Sequence, residues 1–490
     1  MKRWIALFLS IMMIMTLLAG CGSSEESTAA DSKAAQTTQA EPGEDKTTQA
    51  DESTPADASA ESTAEGETSE TQPMPISGDI AEMIDQADLL AAQYDYDAAV
   101  ELLQTIEGYE DNEAVTKAIE RYQQTKASCV TVNPETVPHV FFHSLIVDPS
   151  RAFSTSLWDE VTVQGYNAWM VTIDEFNKII QQLYDNGYVY VHLSDLYVKT
   201  TGEDGKVTYA PNNQILLPPG KKALVMSFDD TSYYAQYMGH GLAEKIVLDE
   251  NGDLKCEYID ASGNTMVGDY DYLPIIDAFI KEHPDASYRG AKGTMALTGY
   301  DGVFGYRTDV DFFAEPTYNE QLWIDAHPEC KLEDEIEKAK VIAQAILDDG
   351  WQIASHSWGH RPMGTGDLEW LKTDTGKWLE RVAPIVGSTD ILIYPHGSDI
   401  GGTADYSMDN EKYAYLSSVG FHVFCDVNAS SLYWNQFRTE YVRQSRIDID
   451  GYTLYQALNN SGTVISQLGL DAASIFDSSR PTPVVADGAE

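Results

Sequence analysis

Two short stretches of this chain carry residue types that perform hydrolytic chemistry. In Ser227-Phe228-Asp229-Asp230, an apolar run beginning at Ala223 ends in two adjacent carboxylates. In His356-Ser357-Trp358-Gly359-His360, two imidazoles stand four positions apart. Imidazoles at that spacing can reach a single ion. One carboxylate plus two imidazoles makes a three-ligand set with a position left for water, the open arrangement of a catalytic zinc centre. Asp230, His356 and His360 are therefore candidate ligands, and Asp229 is left free to act as a base. Taken singly, each stretch has a plainer reading. Adjacent aspartates cap turns and helices, and paired histidines sit on surfaces and in cores. Found together, each at the end of an expected strand, they favour the metal site.

Such a constellation needs strands that end at one rim. The run 223–228 reads as a buried strand with the carboxylates at its C-terminal mouth. From about residue 130 the pattern alternates. Strands are expected at 140–143, 188–193, 352–355, 391–394 and 421–425, and helices at 173–184, 332–347 and 368–382. This alternation predicts parallel strands with crossover helices, closed in a barrel-like form with the site at the strand C-termini. A segment at about 240–270 looks inserted. Residues 245–248 and 254–258 flank the turn Glu250-Asn251-Gly252-Asp253 as a hairpin, either a wall over the site or an exposed decoration. The stretch between it and residue 332 reads as long and irregular.

The flanks are of a different kind. Lys2 and Arg3 precede an apolar run that ends in Leu18-Ala19-Gly20-Cys21. Residues 1–20 read as a signal peptide, and residues 17–21 resemble a bacterial lipobox in which Cys21 takes the lipid; the alternatives are an ordinary secretory signal or a short anchor. Residues 21–78 form a Ser/Thr/Ala-rich acidic linker. Between Gly22 and Pro73 it has no Leu, Ile, Val, Phe, Trp or Tyr, so it lacks the apolar surface that folding needs. Residues 79–129 have helical periodicity and look like a short tetratricopeptide segment. It is either a spacer packed on the following domain or a repeat that binds a protein partner. Residues 479–490 are expected to be a flexible tail. The formal net charge of −47 argues against nucleic acid and against anionic membrane surfaces, so membrane contact is expected through the lipid alone. Cys129, Cys256, Cys330 and Cys425 lack metal-ligand spacing.

Residues 130 to about 460 resemble a polysaccharide deacetylase domain, the NodB-homology domain of carbohydrate esterase family four. Ser227 to Asp230 is similar to that family's Thr-Phe-Asp-Asp motif, and His356 to His360 to its His-Ser/Thr-x-x-His motif. Val137-Pro138-His139-Val140-Phe141-Phe142-His143-Ser144-Leu145 is similar to the start of a permuted subgroup. The resemblance implies a distorted (β/α) barrel, often of seven strands, spanning 130–478. It also implies Asp230, His356 and His360 around zinc (or cobalt or nickel), Asp229 as general base, and an oxyanion donor at the N–H near Thr231. The family's C-terminal Leu-x-His has no counterpart, because no histidine follows His422. His143, on the first strand, takes its place as the expected general acid, since the first and last strands of a closed barrel are neighbours. The usual Arg-x-Pro-x-Tyr-Gly is replaced by Ile393-Tyr394-Pro395-His396-Gly397, which removes the arginine that orients the base. Arg446 is either its substitute or a surface ion pair. Tyr394, Pro395, His396 and Trp434 are expected to contact the glycan, with Asp426 as a further candidate near the site. The implied protein is a lipid-anchored, extracellular enzyme that deacetylates an N-acetylglucosamine-containing glycan. The alternatives are an O-acetyl esterase on xylan-like glycans and a non-catalytic glycan-binding surface protein.

Overall fold

The computed structural model describes residues 78–428, 430–460 and 462–486. The signal, Cys21 and almost all of the linker lie outside the described residues. Seven parallel strands close into a barrel in chain order: β1 (His139–Phe142), β2 (Lys222–Asp229), β3 (Thr294–Leu297), β4 (Gln352–Ser355), β5 (Ile391–Ile393), β6 (Val423–Val427) and β7 (Val442–Asp448). β7 pairs with β1 (Ile447 opposite Val140), which closes the ring and makes the first and last strands neighbours.

Alternation decides which side chains enter the barrel. In β2, Leu224, Met226 and Phe228 face outward into the larger apolar cluster. Ala223 and Val225 face inward, with Ala296, Ala354, Ile391, Ile393, Val423, Cys425 and Val442. Higher in the barrel the same inward rows turn polar: Ser227 and Asp229 in β2, His139 in β1, and Gln444 and Arg446 in β7 are all buried. The apolar floor holds the barrel shut, and the polar storey above it lies beneath the strand C-termini.

Helices cover the outer face. Ile173–Asp185 starts with a reciprocal capping box between Thr172 and Glu175, and buries Phe176, Ile179, Ile180 and Leu183 along one stripe. Burying side chains of this kind stabilises by roughly 1.5–3 kcal/mol each. Leu332–Asp348 and Leu368–Arg381 fall close to the positions expected from sequence.

Several expectations need correction. The stretch before residue 332 is not irregular. It holds the helix Tyr272–Glu282, the barrel strand β3 and the short helices Val310–Ala314 and Tyr318–Ala326. The expected strand at 188–193 is only Tyr188–Tyr190, and it flanks the first half of β2 rather than joining the barrel. The hairpin Ala243–Leu248/Leu254–Ile259 gains a third strand, Thr265–Gly268. Residues 479–486 are not a loose tail: Arg480 is buried and paired with the fully buried Glu175, and Val484 and Ala486 are buried as well.

The helices Gly78–Ala92, Tyr96–Gln104 and Glu113–Ser128 pack on the barrel domain. The Tyr94 hydroxyl donates to the Asp285 carbonyl (2.6 Å), and the Arg289 N–H donates to the Gln93 carbonyl (2.8 Å). Their buried residues belong to the same apolar cluster as the barrel floor. This is the packed-spacer arrangement of the two weighed above. Among the described residues all four cysteines are free thiols, and no helix is long and apolar enough to cross a membrane.

Candidate metal centre and active site

Among the described residues, Asp230, His356 and His360 are the one trio whose ligand atoms lie within 4.8 Å of one another. Each comes from a strand end. Asp230 follows β2 in the left-handed backbone region (φ 60°), and His356 follows β4 with its N–H continuing the ladder to the Leu297 carbonyl. His360 closes the next turn, where Ser357 (φ 59°) and His360 (φ 48°) are also left-handed. Non-glycine residues held there cost of order 1–3 kcal/mol each, and such strain collects at functional sites. Asp374 stabilises the turn by accepting from the Trp358 and Gly359 N–H groups at 2.9 and 2.8 Å.

The donor chemistry fits a divalent cation. The His356 Nδ1 donates to the Ile393 carbonyl (2.8 Å), which leaves Nε2 bare for a metal. Burial pushes the His356 imidazole down to about 4 and His360 to about 3, so both are neutral near pH 7, as metal ligands must be. Asp230 accepts from the Tyr234 hydroxyl at 2.5 Å, which orients its carboxylate. One oxygen and two nitrogen donors without thiolate suit zinc, with cobalt or nickel as alternatives.

Asp229 lies beside this trio, 3.7 Å from His356 Nε2, and is almost wholly buried. Burial alone would raise its pKa. The Arg446 guanidinium, followed by His356, outweighs burial and holds the carboxyl well below the usual range. Arg446 donates from Nη1 and Nη2 to the two carboxylate oxygens at 2.7 and 2.9 Å, a bidentate pair. Of its two sequence readings the structure selects one. Arg446 is buried, not a surface ion pair, and it clamps Asp229 from β7. Its face rests on the Phe141 ring, 4.0 Å away.

His143 follows β1 and lines a small cavity with Asp230, Met170, Tyr233, Tyr237 and Leu242. Its Nδ1 lies 3.0 Å from the Trp169 carbonyl, which fixes the ring with Nε2 as the free nitrogen. The cavity is about 30 Å³, room for about two waters. Leu242 and Ala243, at the base of the inserted sheet, form one wall, so the insertion contributes to the site.

The remaining sequence candidates divide. His396 packs edge-on against the His360 ring (4.4 Å between centroids). Gly397 is left-handed, and a Cβ there would come within 2.7 Å of the Val427 side chain, which accounts for the glycine in Tyr394-Pro395-His396-Gly397. Tyr394 and Pro395 do not line a groove. Tyr394 is fully buried, with its hydroxyl 2.9 Å from that of Tyr406, and Pro395 is buried beside it. Trp434 lies over the Arg443 guanidinium (4.9 Å), and Arg443 leaves β7 on the face opposite Arg446. Asp426 is likewise on the outer face of β6, alternating with the inward Cys425. Sequence reasoning missed the Trp169 carbonyl, Tyr234 and Asp374. Only Asp374 carried a signal, as a carboxylate on the helix face that buries Leu371 and Trp378.

No protein-family model and no curated protein matches the chain. Solved structures do. The chain is similar to the Streptococcus pyogenes deacetylase PplD in complex with acetate, at 13% identity, over 66% of this chain and 95% of that one, with a TM-score of 0.33. It is similar to a de-N-acetylase from Aggregatibacter actinomycetemcomitans at 14% identity, over 66% and 98%, with a TM-score of 0.33. It is also similar to IcaB from Ammonifex degensii at 12% identity, over 65% and 89%, with a TM-score of 0.31.

Proposed function

We propose that this protein is a metal-dependent polysaccharide deacetylase. It hydrolyses N-acetyl groups of an N-acetylglucosamine-containing glycan, peptidoglycan or poly-N-acetylglucosamine, outside the cell, where a lipid on Cys21 tethers it to the cytoplasmic membrane. The observation that carries this reading is the meeting of three parts at one rim: an oxygen–nitrogen–nitrogen ligand trio, a carboxylate clamped by a buried arginine, and an imidazole across a small, largely apolar cavity.

A divalent cation held by Asp230, His356 and His360 would polarise the acetyl carbonyl and acidify water. Asp229, kept ionised by Arg446, takes the proton of the attacking water. A carboxylate held so far below its usual range is a weak base, which suits a site where the water is itself acidified. His143 delivers a proton from Nε2 to the departing amine while its Nδ1–H stays on the Trp169 carbonyl. The N–H near Thr231 is a donor candidate for the carbonyl oxygen. The cavity wall of Met170, Tyr233, Tyr237 and Leu242 suits the acetyl methyl and excludes bulkier acyl groups.

The test combines metal analysis of the purified protein with acetate release from chito-oligosaccharides, poly-N-acetylglucosamine, peptidoglycan and acetylated xylan. Release from the N-acetylated polymers is expected. Release from xylan alone would make the protein an O-acetyl esterase, and a metal-free protein that releases nothing would make it a binding protein.

A further inference from the structure

By alternation, β1 and the residue after it place three side chains on one face: His139, Phe141 and His143. The last is the expected acid and the second supports Arg446, which leaves His139 unexplained. It is fully buried and 88 positions from its nearest polar partner in sequence. Its surroundings form one line of hydrogen bonds. The Gln444 Nε2 donates to the Val137 carbonyl (3.1 Å), and the Gln444 Oε1 lies 3.0 Å from the His139 Nδ1. The His139 Nε2 lies 2.8 Å from the Ser227 Oγ, and the Arg446 Nη1 donates to the same Oγ at 3.2 Å.

The chemistry of the ends sets the direction of the whole line. The Val137 carbonyl can only accept, so the Gln444 amide must turn its NH₂ there and its oxygen to His139. That oxygen can only accept, so His139 carries its proton on Nδ1. Nε2 is then a bare acceptor and must take the Ser227 hydroxyl proton. The Ser227 oxygen is thereby left with lone pairs toward Arg446, the one remaining neighbour in line. The Arg446 guanidinium is hydrogen-bonded by Asp229 and Ser227 and rests on the Phe141 face.

We propose that Gln444, His139 and Ser227 are positioning residues that fix the guanidinium of Arg446, and through it the orientation of Asp229. This rests on the proposed role of Asp229 as base. The relay gives the guanidinium a second anchor, on the same Nη1 that donates to the carboxylate. With the plane of Arg446 held at both acceptors, Asp229 stays turned toward the ligand trio. A buried neutral histidine serves here because it accepts at one nitrogen and donates at the other. Burial and the nearby Arg446 cation hold His139 well below the ordinary imidazole range, consistent with one ring proton.

The experiment uses the full chain in four forms. Nitrogen NMR of histidine-labelled protein is expected to show His139 as the neutral Nδ1–H tautomer, and a ring proton on Nε2 would overturn the relay. Ser227→Ala is expected to lower kcat about tenfold with KM and bound metal unchanged and the melting temperature lowered by a few degrees, and Ser227→Thr, which restores the hydroxyl, to recover most of both. Gln444→Met leaves Ser227 and Arg446 in place and removes only the directional end. It is expected to lower kcat by roughly two- to fivefold and to let both His139 tautomers appear. A Ser227→Ala protein with wild-type kcat would sink the positioning role. Wild-type protein that releases no acetate from any glycan sinks the proposed function instead, and the tautomer then decides the relay by itself.

Discussion

A carboxyl group buried as deeply as Asp229 would ordinarily keep its proton, because burial favours the neutral form. Arg446 reverses this, and its bidentate geometry also fixes where the two oxygens point. The pair should therefore behave as a unit. Arg446→Ala leaves a buried, unpaired carboxylate and is expected to cost about 3–5 kcal/mol by chemical denaturation, and to lower kcat further than stability alone accounts for. Asp229→Asn should keep metal binding and lower kcat by about 10²–10⁴-fold, measured as acetate release; full activity in that variant would remove Asp229 from the base role. At this scale the convergence of Asp230, His356 and His360 with Asp229 beside them was legible, because both motifs are local and their residue types are uncommon together. Arg446 was legible only as one of two readings, since its partner is 217 positions away and an arginine in a polar run reads equally well as surface. The groove role of Tyr394 failed for a related reason. Its neighbours Tyr406 and Phe424 are distant in sequence, so nothing local shows that the ring faces outward into a packed layer.

Element by element, legibility followed how plainly each segment showed its period. The amphipathic helices Ile173–Asp185, Leu332–Asp348 and Leu368–Arg381 carry caps and an apolar stripe, and they lie where the sequence puts them. β3 is four residues long and follows a glycine-rich turn, too short to show a period. β7 inverts the usual signal: its inward positions hold Gln444 and Arg446, so polar residues lie inside and the strand reads as loop. The segment after residue 478 shows the same difficulty, because Pro, Ser and Asp around Arg480 look like a tail. In the fold, Arg480 meets Glu175 in a wholly buried pair and donates to the Asn167 carbonyl as well. Truncation after residue 478 leaves Glu175 without its cation. It is expected to destabilise the protein by about 3–5 kcal/mol, and a melting temperature equal to that of the full chain would show the pair to be idle.

Across the whole molecule, two consequences follow from what the barrel encloses. The N-terminal helices share their apolar cluster with the barrel floor, so removing residues 78–128 should lower the melting temperature by roughly 5 °C or more, whereas an independent peptide-binding repeat would leave it unchanged. The interior and rim also hold imidazoles that burial keeps neutral: His139 well below the ordinary range, His356 near 4 and His360 near 3. In the unfolded chain these groups take up protons near pH 6.5. As pH falls below that value, the unfolded state binds protons that the native state refuses. Stability of the metal-free protein should then fall between about pH 6.5 and 4, measured by denaturant titration at fixed ionic strength. A flat stability profile across that window would mean that these rings are hydrated. The central claim is that Asp230, His356 and His360 grip one divalent cation without help from Asp229. The most direct measurement is cobalt(II) titration of the metal-free protein, followed by its visible absorption. One cobalt per chain is expected for the wild-type protein and for Asp229→Asn, with none for His356→Ala or His360→Ala. Undiminished cobalt binding by the two histidine variants would contradict it.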